Sequence, residues 1–159
     1  MDLNLSFRPI TATDKEFLYT VYASTRTEEL AQTDWSDQEK ETFLRQQFNA
    51  QHQFYMDQFA AASFALIMLD AKPVGRLYVD RRPEEIRLID IALLPSYRNR
   101  GIGTHLLKDL LNEAAESRKT ITIHVEKFNP ALQLYQRLGF RIIDESGVYY
   151  LMEWSAEEK

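Results

Sequence analysis

The chain contains no cysteine. That excludes disulfides, thiolate metal sites and a cysteine nucleophile. It has no apolar run long enough to span a bilayer. Its first residues, Met1-Asp2-Leu3-Asn4, lack the basic start and apolar stretch of a secretory signal. A cytoplasmic protein without membrane contact is therefore expected. Positive charge is in deficit, with 19 Lys and Arg against 24 Asp and Glu for a net charge of -5, which argues against nucleic acid or an anionic membrane as partner. His52, His105 and His124 fall on three separate segments, with no metal-ligand spacing and no HExxH motif. No metal is expected, and these histidines read as structural or surface residues. There is no repeat, low-complexity tract or linker. What remains is a chain of 159 residues, 45% hydrophobic, the size of one domain (1–159) with a sizeable core.

One stretch organises the rest. Leu88-Ile89-Asp90-Ile91-Ala92-Leu93-Leu94 reads as a buried strand, ended by Pro95, which cannot donate to a sheet ladder. Arg98-Asn99-Arg100-Gly101-Ile102-Gly103 follows. Leu106, Leu107, Leu110, Leu111 and Ala114 then recur at helical spacing. Strand, basic glycine-containing turn and helix form a pyrophosphate cradle when the glycines admit a ligand to backbone and the helix start offers unpaired N–H groups. The same order also occurs where two glycines only ease a turn. No Lys-Ser/Thr pair follows the second glycine, so this is not a P-loop. Leu106 stands where a dinucleotide fingerprint wants its third glycine or alanine.

In chain order, alternation predicts a strand over Leu3 to Ile10, with Leu3, Leu5 and Phe7 on one side. A helix capped by Thr13 or Asp14 is expected to run to about Ala31. A second runs from about Asp37 to the Tyr55 region. Ala62 to Leu69 and Val74 to Asp80 read as a hairpin, and Thr120 to Val125 as a β-branched strand. Pro130 suits the first position of a short helix capped by Asn129 and ended by Gly139. Phe140 to Ile143 and Val148 to Trp154 read as a final hairpin. The order β-α-α-β-β-β-α-β-α-β-β implies an α+β fold with a mixed, mostly antiparallel central sheet flanked by helices.

Arg-x-x-Gly-x-Gly after a strand ending in Leu-Pro resembles the acyl-CoA-binding signature of the GNAT superfamily of N-acetyltransferases. The resemblance continues through Asn129-Pro130-Ala131 and Leu134-Tyr135-Gln136-Arg137-Leu138-Gly139-Phe140, and covers about Val74 to Trp154. It implies a GNAT-like fold, acetyl-CoA as co-substrate, and transfer to a primary amine of a small molecule or peptide. Arg98, Asn99, Arg100, Gly101, Ile102, Gly103 and Thr104 would hold the pyrophosphate. Leu93 and Leu94 would act through main-chain groups along the pantetheine arm, which Asn129 would also touch. Tyr135 matches the family's tyrosine facing the thioester sulfur. A phenol of pKa ~10 can donate to a departing thiolate whose free pKa is roughly 8.5. Packed with Leu134 and Leu138, it would instead be ordinary core.

Asp90 breaks an apolar face. By twos it groups with Ile86, Leu88, Ala92 and Leu94, where a carboxylate is costly unless paired, bound or shifted in pKa. It could accept the amine proton as general base, or pair structurally with Arg76 or Arg87. Glu126 and the Glu84-Glu85 pair are other candidates. Tyr22, Arg26, Glu28, Glu29 and Trp35 lie where such domains often meet acceptors, or form only a solvated helix end. The expected reaction is direct transfer in a ternary complex, since no nucleophile stands out. A non-catalytic acyl-CoA-binding or sensing domain is the alternative. Monomer or homodimer is left open.

Overall fold

The computed structural model describes residues 3–156; Met1 and Asp2, read above for a signal segment, lie outside it. Seven strands and five α-helices follow one another: β1 (Leu5–Pro9), α1 (Lys15–Ser24), α2 (Thr27–Ala31), α3 (Asp37–Gln58), β2 (Ser63–Leu69), β3 (Lys72–Arg81), β4 (Glu85–Leu93), α4 (Ile102–Ser117), β5 (Thr120–Glu126), α5 (Leu132–Arg137), β6 (Arg141–Ser146) and β7 (Tyr149–Trp154). The strands form one sheet in the order β1-β2-β3-β4-β5-β7-β6. β1–β2, β5–β7 and β6–β7 pair antiparallel, and β4–β5 pair parallel, so the sheet is mixed as expected. No helix among the described residues is long and apolar enough to cross a membrane. By contact density the chain divides into two compact units. One holds the described residues up to Leu77 with Ala92–Arg98; the other holds Tyr78–Ile91 and those from Asn99 on.

In the first unit, α1 buries Leu18, Val21 and Tyr22, and α3 buries Leu44 and Phe48. Phe48 takes Tyr19 edge-on at 5.8 Å and Tyr22 at 5.9 Å, contacts that add to simple area burial. α3 starts where Ser36 accepts from the Glu39 N–H while Glu39 accepts from the Ser36 N–H, a reciprocal cap. Before α1, Asp14 accepts from the Thr11 N–H at 2.7 Å and from Arg8 at 2.8 and 3.1 Å. β2 turns into β3 through Asp70 and Ala71, both left-handed, the hand that matches strand twist in a two-residue hairpin.

One expectation changes here. The helix foreseen to Ala31 is two helices. Ser24 and Thr25 hydroxyls donate to the Val21 and Tyr22 carbonyls, which lets side chains replace the helical ladder and ends α1. Phe7 of β1 is 50% exposed, and β1 is the edge strand with β2 beside it.

In the second unit, α4 lies against β5 and buries Ile102, Leu106, Leu107, Leu110 and Ala114. β5 contributes Ile121, Ile123 and Val125, and its Ile123 pairs with the fully buried Met152 of β7. β6 is the other sheet edge, every residue of it exposed, with a bulge between Ile142 and Asp144.

Candidate active site

The second unit carries the turn before α4. Asn99 (φ 59°) and Gly101 (φ 85°) both adopt left-handed backbone on either side of Arg100. Gly101 then caps α4, its carbonyl accepting from the His105 N–H at 3.0 Å. The first-turn N–H groups of α4 have no acceptor within the helix. Gly101 is required by its φ. Gly103 is not: its φ is ordinary, and a Cβ there would meet no protein atom within 4 Å. Inside a helix, glycine is worse than alanine by roughly 0.5–1 kcal/mol. Among the described residues no neighbour of Gly103 accounts for that cost. Arg100 and Gly101 are exposed, Ile102 is buried, and Thr104 is half-buried.

Tyr135 is the one buried residue of α5, 3% exposed, and its ring meets Phe140 at 5.6 Å. Gly139 turns the chain with φ 103°, so that the Phe140 N–H returns to the Tyr135 carbonyl at 3.0 Å. Burial first, and then the Asp90 carboxylate, push the Tyr135 phenol well above its ordinary pKa. Among the described residues its hydroxyl has no hydrogen-bond partner. The described β4–β5 pairing stops at Leu88 and Ile123, two residues before Asp90. The structure thus brings Asp90 and Tyr135 within electrostatic reach, although they lie 45 positions apart in sequence.

Asn129 differs from expectation. α5 begins at Leu132, and the Asn129 Oδ1 accepts from the Ala131 N–H at 2.8 Å, shaping the turn ahead of the helix. Of the rival carboxylates, Glu85 is engaged by the Thr122 hydroxyl and by Arg82 at 3.4 Å, while Glu126 is exposed. Arg87 donates to Thr122 at 2.8 Å and sits 3.4 Å from the His124 Nδ1.

The first unit holds the end of β4. The Leu94 N–H donates to the Val74 carbonyl at 2.9 Å, and the Leu93 carbonyl accepts from the Arg98 Nε at 2.9 Å. Gly75 makes this possible. A Cβ there would stand 2.2 Å from the Ala92 carbonyl oxygen, closer than any real contact. The sequence reading passed over Gly75, whose signal was a glycine inside an apolar strand. Arg98 also donates to the Ser24 hydroxyl at 2.9 Å, so its side chain is engaged within this unit. On the expected acceptor side, Arg26 donates to the Tyr22 hydroxyl at 2.6 Å and pairs with Glu29. It stacks over Tyr22 and Phe43, and Trp35 meets Phe43 edge-on at 5.1 Å. His52 stacks on Phe48. Among the described residues its Nδ1 is buried without a hydrogen-bond partner, and burial, helped by Lys15 and Arg76, lowers its pKa.

The family model described as acetyltransferase (GNAT) family matches residues 24–140. The chain belongs to the GNAT acetyltransferase family. Among curated relatives, a cysteine-rich protein 2-binding protein of Mus musculus is 29% identical over 97 residues, covering 57% of this chain and 12% of that protein. The ribosomal protein bS18-alanine N-acetyltransferase of Haemophilus influenzae is 35% identical over 68 residues, covering 42% of this chain and 47% of that one. The chain thus spans less than half of either relative. In fold, it resembles the PaiA N-acetyltransferase of Thermoplasma acidophilum, solved in complex with coenzyme A, with TM-score 0.70 and 18% identity over 96% of this chain and 99% of that one.

Proposed function

We propose that the chain is a single catalytic domain that transfers an acetyl group from acetyl-CoA directly to a primary amine of a small molecule or peptide. The observation that carries this reading beyond CoA binding is Tyr135. It is a buried phenol, held protonated, with a hydroxyl that no described protein group uses. A binding module has no need of it.

Bound acetyl-CoA supplies an acyl group already activated as a thioester. The backbone N–H groups from Asn99 to Thr104 hold the pyrophosphate, and Arg100 adds charge beside it. Main-chain groups of Leu93 and Leu94 line the pantetheine arm. Asn129 has its Oδ1 committed to Ala131 and keeps its amide N–H groups for a pantetheine carbonyl. Asp90 takes the proton of the attacking amine, directly or through a water. Tyr135 donates a hydrogen bond to the sulfur as charge builds there. Its raised pKa sits far above the roughly 8.5 of a free thiol, so full proton transfer is uphill, and the hydroxyl stabilises the departing sulfur without surrendering its proton.

A screen of amines, amino acids and peptides with acetyl-CoA, read by free thiol release, tests the assignment. Tyr135→Phe keeps the ring packing and is expected to lower kcat by about a hundredfold, the low end for acid–base groups. Acetyl-CoA affinity should hold within a few-fold. CoA binding without turnover across the whole panel would return the chain to a binding or sensing role.

A further inference from the structure

We propose that Arg98 is a positioning residue for acyl transfer, not a ligand of the CoA phosphates; this rests on the function proposed above. By sequence it is the first residue of the basic turn. In the structure its guanidinium is bonded within the unit that holds the end of β4. Its Nε–H donates to the Leu93 carbonyl at 2.9 Å, and its Nη2–H donates to the Ser24 hydroxyl at 2.9 Å. Ser24 is the last residue of α1, and its hydroxyl donates onward to the Val21 carbonyl at 2.7 Å. The Arg98 backbone is held too, its N–H on the Pro95 carbonyl at 3.2 Å.

The consequence falls on one peptide unit. The Leu93 carbonyl is held by Arg98, and the Leu94 N–H on the same peptide is held by the Val74 carbonyl. Both polar groups of that plane are pinned, so it cannot swing. This is the strand end whose main chain is proposed to run along the acyl-bearing arm. A misplacement of about 1 Å there can cost on the order of a hundredfold in rate. Arg98 also ties that peptide to the C-terminal end of α1, whose carbonyls favour a cation. Only a planar fork reaches both acceptors at once; an ammonium does not.

The test compares Arg98→Gln, Arg98→Lys, Ser24→Ala and the Arg98→Gln/Ser24→Ala double variant. CoA affinity is measured by calorimetry at two salt concentrations, and kcat at saturating acetyl-CoA. The expected result is a kcat loss of about tenfold or more in Arg98→Gln, equalled by Arg98→Lys. Kd for CoA should stay within threefold, with unchanged salt dependence. Ser24→Ala should show a smaller loss of the same kind, and the double variant should be no worse than Arg98→Gln alone, because both residues act through one contact. The proposal is overturned if Arg98→Gln instead raises Kd for CoA tenfold or more, lysine restores it, and kcat is untouched. If Arg98→Gln does not fold, Ser24→Ala decides alone: lowered kcat at unchanged CoA affinity upholds the clamp, and unchanged kcat ends it. Wild-type protein that fails to bind CoA or to turn over refutes the functional reading itself, and removes this proposal with it.

Discussion

Gly103 stands at the second position of α4, where a helix is better served by alanine. A Cβ added there meets no protein atom within 4 Å, and the backbone needs no positive φ. Gly103→Ala is therefore expected to stabilise the folded chain. Gly-to-Ala exchange in helices is worth roughly 0.5–1 kcal/mol. In a chain of this length, each kcal/mol moves Tm by about 2–4 °C, so a rise of about 1–4 °C should follow. Ligand binding should move the opposite way. The new methyl occupies the space through which a phosphate would reach the first-turn N–H groups. Losing one charge-assisted hydrogen bond there costs about 1.5–3 kcal/mol, or roughly 10- to 150-fold in Kd. Thermal or urea unfolding gives the first quantity and calorimetric titration with CoA gives the second. A folded Gly103→Ala protein whose CoA affinity stays within twofold of wild type would refute the cradle. A fall in Tm would show that the fold itself needs this glycine.

Gly75→Ala should behave differently, since its Cβ would run into the Ala92 carbonyl, a backbone atom that cannot step aside. About 1–3 kcal/mol of overpacking cost is expected, with a lower kcat because the Leu93–Leu94 peptide shifts; urea unfolding beside turnover checks both. Asp90→Asn should lower kcat with CoA affinity nearly intact, checked by steady-state turnover beside calorimetry. An unchanged rate would pass the base role to another carboxylate or to water. Asp14 is held at a pKa of about 2, below its usual 3.8, mainly by the Arg8 hydrogen bonds. It therefore adds stability at neutral pH that is lost as pH falls from about 4 to about 2. Discounted for the exposure of Arg8, this is about 1–2 kcal/mol, which Asp14→Asn should remove at pH 7 but not at pH 2 in urea unfolding.

Local chemistry was enough to place the elements that carry the candidate site. Pro95 ending an apolar run, two glycines, and leucines at helical spacing mark β4, the turn and α4 by rules that act within a few residues. Gly139 marks the end of α5, and hence the helix that carries Tyr135. Even the break after α1 left a local trace in Ser24-Thr25, whose hydroxyls bond the carbonyls three residues back. Tertiary structure decided what depends on distant chain. Whether Arg98 faces a ligand or the protein turns on where α1 ends, 74 positions earlier. Gly75 matters because the Ala92 carbonyl arrives beside it. β7 enters the sheet between β5 and β6, a pairing order that alternation cannot encode. The raised pKa of Tyr135 needs both its burial and the Asp90 charge. Desolvation and Coulomb energy depend on three-dimensional distance, which residue order alone does not contain.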